Sequence, residues 1–162
     1  LLCALGSSAA VCEAMAFDRR SSRFPDRISS ESTGGTRRLR LKAGEWEVSL
    51  EQVESIGVEE LEKMASRMYG ALVKAVVDVR LGRVVVDAEL HYDEEQYLLE
   101  TGSAQSDLWG VNLYPDSYGE EDFIEFDSMI NIRPAQGNNS RDVEDEDARE
   151  SIRRIVGKVV HA

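Results

Sequence analysis

The chain has 162 residues, with 19 Lys/Arg against 31 Asp/Glu and a net charge of −12. That length supports one domain with a genuine hydrophobic core, and 42 % hydrophobic with 31 % charged residues excludes a membrane-embedded or wholly disordered chain. The charge is uneven: residues 1–42 carry a net +4 and residues 43–162 a net −16. A body so acidic repels phosphate backbones, so nucleic acid is excluded as a partner of the folded part. Both cysteines, Cys3 and Cys12, precede residue 17, which removes disulfides, thiol nucleophiles and thiolate metal sites from the remainder.

The sequence opens without Met, which points to an incomplete N-terminus. Residues 1–16 read as a signal-like segment: an apolar Leu1–Val11 run, then Ala14-Met15-Ala16 at the −3 and −1 positions of a cleavage site. The run is too short to span a bilayer, so no membrane insertion of the mature domain is expected. Residues 17–42 hold eight Lys/Arg, five Ser and three acids, a transit-like composition. The two segments together read as a cleavable, disordered presequence. Their order, with Phe17 directly after the first cut, resembles the bipartite presequences of algae with secondary plastids. The plastid stroma is the expected location, with secretion or the cytoplasm as alternatives.

Residues 43–162 are expected to form a single α+β domain. A first helix over Val58–Tyr69 buries Leu61, Met64, Ala65 and Met68, between Gly57 and Gly70. Val73–Val79 and Arg83–His91 alternate as strands joined at Leu81-Gly82. A short helix capped by Asp93, with Gln96 reaching back, ends at Gly102. Leu108–Tyr114 is a third strand and Asp122–Arg133 a long fourth, stopped by Pro134. The last helix runs over Asp145–Val160. The order gives a two-layer sandwich: a mostly antiparallel four-stranded sheet with helices packed on one face.

Such a sheet leaves its other face wet, and strand alternation sorts the side chains. The polar face collects Lys74, Asp78, Asp87, Glu89, His91, Glu125, Asp127, Asn131 and Arg133. Like charges directly opposite destabilise, so these acids require cations or a ligand between them. Glu89, His91 and Asp127 are the candidate metal ligands for Mg²⁺ or Mn²⁺, and the candidate catalytic groups, with His91 transferring protons. No His-x-x-His or His-Glu-x-x-His spacing supports a metal. Ser128 lacks a Gly-x-Ser-x-Gly turn and is not a candidate nucleophile. The loop from Arg133 to Arg141 adds two guanidinium groups, Asn138 and Ser140, which suit a carboxylate or phosphate. The plain alternative is a solvated face and an ordinary turn-rich loop, with Arg133 paired to Asp127 or Glu125.

Several stretches follow one another in a distinctive order. They are Lys74-Ala75-Val76-Val77-Asp78; Ala88-Glu89-Leu90-His91 with Asp93 and Glu94; Gly102-Ser103 with Gln105; and Asp107-Leu108-Trp109-Gly110. Then come Ser128-Met129-Ile130-Asn131-Ile132-Arg133-Pro134 with Gln136, Asn138 and Ser140, and a closing Ile-Val helix. Over residues 70–160 this resembles domain-of-unknown-function family 5674, short soluble proteins of cyanobacteria and other prokaryotes. The resemblance implies common ancestry and a single-domain fold, and no reaction. Tyr92 after the His, and Arg141-Asp142 after Ser140, depart from the family pattern.

Two functions are compatible with these residues. One is a module binding a small ligand or a protein partner through the polar face and the Arg/Asn loop, with Lys74, Asp78, Glu125, Asn131, Arg133, Asn138, Ser140 and Arg141 in contact. The other is a metal-assisted hydrolase or other acid/base enzyme built on Glu89, His91 and Asp127. Convergence of those three residues in a concave site separates the two.

Overall fold

The computed structural model describes residues 27–33, 35–43 and 46–162. Its central sheet comprises β1 (Arg27–Thr33), β2 (Thr36–Ala43), β3 (Trp46–Val53), β5 (Val73–Asp78), β6 (Arg83–Val86), β7 (Leu108–Leu113) and β8 (Ile124–Glu125). The strands lie in the order β1-β2-β3-β6-β5-β7-β8, every pair antiparallel. A small parallel pair joins β4 (Ile56–Gly57) to β9 (Val160–His161). The helices are α1 (Val58–Met68), α2 (His91–Glu100) and α3 (Glu146–Val159). None of the described helices is long and apolar enough to cross a membrane.

The fold is α+β with an antiparallel sheet, but the helices do not share one face. Val73, Ala75, Val77, Val84, Val86, Val111 and Leu113 form the main core with Leu61 and Met64 of α1 and Ile152 and Val156 of α3. On the opposite face, Leu50, Val76, Val85 and Leu108 pack against Tyr97 and Leu98 of α2. Val76 and Val85 sit among the polar residues of their strands, and burying these two valines under a third helix removes them from water. The supposed wet face is therefore roofed over its centre. The two core clusters sandwich β5 and β6, which explains their near-continuous valine runs.

Two boundaries also move. α2 begins at His91, with Leu90 as an N-cap that makes no side-chain bond, so Asp93 lies in the first turn instead of capping it. The cause lies upstream, where Asp87 takes φ 71° and turns the chain out of the sheet after Val86. The long fourth strand is not formed. After β8 the chain makes single 3-10 turns at Met129–Asn131 and Pro134–Gln136. Asn131, fully buried, uses its side-chain amide in place of a strand. Its Oδ1 accepts from the Gly110 N–H at 2.9 Å, and its Nδ2 donates to the Gly110 carbonyl at 2.9 Å and the Arg141 carbonyl at 2.9 Å. With the edge of β7 satisfied in this way, backbone pairing past Glu125 is unnecessary.

β1 and β2 fall within and just beyond the stretch read as transit-like and disordered, and they extend the sheet beyond β3 in full antiparallel register. The signal-like segment 1–16 lies outside the described residues.

Ser128 lies over Gly110, where an added Cβ would sit 2.5 Å from Ser128 Oγ and 2.6 Å from its Cβ. Gly110→Ala should therefore lower unfolding free energy by about 1–3 kcal/mol, the usual cost of overpacking, as read by urea titration.

Candidate functional site

The β5–β7 register sets Lys74 opposite Asn112, and the β7–β8 register sets Asn112 opposite Glu125. Over this row lies the start of α2, and beside it the turn around Ser128. Together they enclose a pocket of about 220 Å³ lined by Lys74, Leu90, His91, Tyr92, Asn112, Asp127, Ser128, Met129, Ile130 and Arg141. Of the residues predicted from sequence, Lys74, His91, Asp127 and Arg141 converge here. Asn112, Leu90 and Tyr92 line the site but are not among the residues predicted to contact a ligand; Leu90 and Tyr92 flank His91 in the sequence, and the register of β7 sets Asn112 opposite Lys74.

His91 is 8 % exposed and its Nε2 lies 2.8 Å from the Val111 carbonyl, an acceptor, so this nitrogen carries the proton and Nδ1 is left as an acceptor. Burial pushes its pKa down to about 4; the nearby cations Lys74 and Arg141 act in the same direction, while the Val111 bond and Asp127 oppose. Arg141 Nη2 donates to Asp127 Oδ2 at 2.7 Å. Lys74 Nζ donates to the Glu89 carbonyl at 3.0 Å and stands 4.6 Å from the Tyr69 ring centroid. Asn112 Nδ2 donates to Glu125 Oε2 at 2.7 Å, while its Oδ1 is buried with no donor. Leu90, the N-cap of α2, makes no side-chain cap bond and the Asp93 N–H donates to its carbonyl at 3.0 Å; Leu90, His91 and Tyr92 bring this helix start to the wall of the pocket.

The remaining candidates do not line this pocket. The Glu89 side chain is exposed and only its carbonyl meets the site, so Glu89, His91 and Asp127 do not form a metal or catalytic triad. Among the described residues, no group of three His, Cys, Asp or Glu could hold a metal, which leaves the Mg²⁺/Mn²⁺ reading without a donor set. The acids expected to crowd together are separated: Asp87 pairs with Arg67 at 2.8 Å, and Glu125 accepts from Asn112 and, at 3.0 Å, Tyr114. Asp78 is fully buried and caps its own hairpin, accepting from the N–H groups of Arg80 and Leu81.

Arg133 points inward: Nε donates to the Ile130 carbonyl at 2.8 Å, the guanidinium stacks 5.1 Å from Trp109, and Nη2 lies 3.6 Å from Glu95 Oε1. Its ion-pair partner is thus Glu95, neither Asp127 nor Glu125. Burial lowers its pKa and Glu95 counteracts this. Asn131 and Asn138 are buried; Asn138 Nδ2 donates to the carbonyls of Asn131, Ser140 and Asp142, and Oδ1 accepts from the Glu144 N–H. Ser140 enters only through its carbonyl. A larger cleft of about 570 Å³ lies between Trp109 and the start of α3. Its amide Asn138 and caps Glu144 and Asp145 are already satisfied by neighbouring backbone. Among the buried polar atoms left without a hydrogen-bond partner (Asp78 Oδ2, Glu94 Oε2, Asn112 Oδ1 and Arg133 Nη2), Asn112 Oδ1 is the one that belongs to the smaller pocket.

Two titrations separate by sign. The His91 pKa is about 4 folded against 6.5 unfolded, so the unfolded chain binds the extra proton and stability falls as pH drops from 6.5 to 4. The stability gap between the parent and His91→Phe should therefore widen by up to roughly 3 kcal/mol from pH 4 to 6.5 in urea titrations. Glu94 behaves oppositely. Fully buried, with Oε1 accepting from the Ala88 N–H, its pKa is raised well above 4.5. Its stabilising contribution is present below 4.5 and is lost as pH rises. Glu94→Gln should hence gain thermal midpoint over the parent as pH increases from 5 to 8.

No curated protein matches this sequence, and no solved structure matches it either. A family model described as "Protein of unknown function (DUF5674)" matches residues 51–159, a span that contains every residue of the pocket. The chain belongs to the DUF5674 family.

Proposed function

We propose that this protein is a binding module for a small anionic ligand, held in the His91 pocket. The reading rests on one observation: the start of α2, whose N-cap makes no side-chain bond, lines one pocket together with two cations, Lys74 and Arg141, against the single carboxylate of Asp127. Helix amides supply oriented donors, and Lys74 supplies a compact charge with only one of its three donors used on Glu89. Arg141 can swing between Asp127 and a ligand, because its side chain is 55 % exposed. His91 serves as a neutral wall of the pocket throughout the physiological range. The anticipated workplace is the plastid stroma, supported by the signal-like and Arg/Ser-rich segments 1–42. A fluorescent protein fused behind residues 1–42 tests this, and retention in the cytoplasm would remove it.

Inorganic phosphate and acetate are the direct probes. Titration of the full chain should shift the His91 ring and Tyr92 amide resonances, and Lys74→Met and Arg141→Met should each weaken the stronger anion about tenfold, the size of one charge-assisted hydrogen bond. Unmoved resonances with both anions would refute an anion site.

A further inference from the structure

The same pocket carries more than cations. Asn112 is 6 % exposed, lines the cavity, and has an Oδ1 with no donor among the described residues. His91 presents a second acceptor, since its Nε2–H is committed to Val111. A bare anion satisfies Lys74, Arg141 and the helix amides but leaves both acceptors facing negative charge. A buried acceptor without a donor costs about 1–3 kcal/mol, so the matching ligand brings a donor of its own.

The donor must stand close to the anionic group. Lys74 and Asn112 are directly opposed across β5 and β7, which sets their Cβ atoms roughly 4.5–5.5 Å apart. Both side chains line the one small pocket, so a cation and an orphan acceptor rise from neighbouring positions of its floor and a single small molecule can meet both. The cavity volume of about 220 Å³ is below the usual range of pockets for drug-sized ligands, which points to a smaller molecule.

The mouth is apolar. Leu90 is 53 % exposed, Tyr92 49 % and Met129 66 %, three of the eight exposed large hydrophobics among the described residues. All three line this pocket, with half-buried Ile130 beside them. Clustering of such surface around a polar pit marks a binding site for a molecule with an apolar arm.

Building on the anion-site reading, we infer that the ligand is a small carboxylate with a hydrogen-bond donor on the adjacent carbon and an apolar side chain, that is, an α-hydroxy or α-amino acid. The carboxylate meets Lys74, Arg141 and the amides of α2. The hydroxyl or ammonium group donates to Asn112 Oδ1 and His91 Nδ1. The side chain lies over Leu90, Tyr92 and Met129.

Calorimetric titration of the full chain with 4-methylpentanoate, 2-hydroxy-4-methylpentanoate and leucine separates the contributions. These share one skeleton and differ only in the donor. At least one donor-bearing acid should bind tenfold or more tightly than 4-methylpentanoate, and which one does so identifies hydroxyl or ammonium. Asn112→Leu should erase that preference while keeping the affinity for 4-methylpentanoate. Met129→Ser, at an exposed position, should weaken the preferred acid yet leave its short-chain analogue, lactate or alanine, unchanged. Equal affinity for all three acids would overturn the inference. Phosphate binding without any of the three would overturn it and keep the anion site; no binding by any probe would overturn both.

Discussion

The side-chain amide of Asn131 does for β7 what the backbone of another strand would do. It returns both hydrogen bonds of Gly110 and takes the Arg141 carbonyl as a third partner. Because the sheet edge is closed by a side chain, the chain past Glu125 is free to turn. Ser128 can then lie against the Cβ-less surface of Gly110, its N–H donating to the Arg141 carbonyl at 3.0 Å. That pair of bonds fixes the backbone of Arg141, and thereby the reach of its guanidinium toward Asp127 and the pocket. Asn138 completes the arrangement by gathering three carbonyls of the same loop. The amides of Asn131 and Asn138 thus face inward as a scaffold for the loop, while its final arginine lines the pocket.

The second constraint is the burial of both faces of β5 and β6. A helix on the far face needs an entry point, and Asp87 supplies it through a left-handed backbone stabilised by Arg67. A non-glycine residue there costs on the order of 1–3 kcal/mol, which the buried contacts of Tyr97 and Leu98 offset. Entry at this angle drops the uncapped first turn of α2 directly onto Lys74 and Asn112. The packing that stabilises the second face therefore also builds one wall of the pocket.

Much of this was readable from the residues. The i, i+3, i+4, i+7 spacing locates α1 and α3 to within a residue or two, and β5 and β7 keep their predicted bounds closely, whereas the second strand stops at Val86 instead of running on to His91. Lys74, His91, Asp127 and Arg141 were identified by type and face. What failed had a common cause: pattern alone cannot weigh a side-chain amide against a backbone partner. The Ile-x-Phe-x alternation through Asp122–Arg133 has strand period, yet Asn131 and Pro134 decide the outcome in favour of turns. Likewise Arg133 and Asn138 look like ligand residues because Arg and Asn recognise anions. The same donors serve a buried loop equally well, and only three-dimensional burial distinguishes the two uses. Val76 and Val85, two apolar residues on a face otherwise polar, were the sequence signal for the helix on the second face.

The proposed anion site has to be reconciled with the protein's net charge of −12, which repels the anion it would hold. The length scales resolve it. At physiological ionic strength, charges on exposed acids fade over about 8 Å, whereas contacts inside a partly closed pocket are screened far less. The distant acids therefore slow approach more than they weaken the bound state. The same field discourages polyanions, which must lay several charges along the surface, while a single small anion needs only the pocket itself. At the proposed anion site, a preference for a small ligand over nucleic acid would then come from the charge distribution together with the cavity, before any specific contact to the ligand is counted.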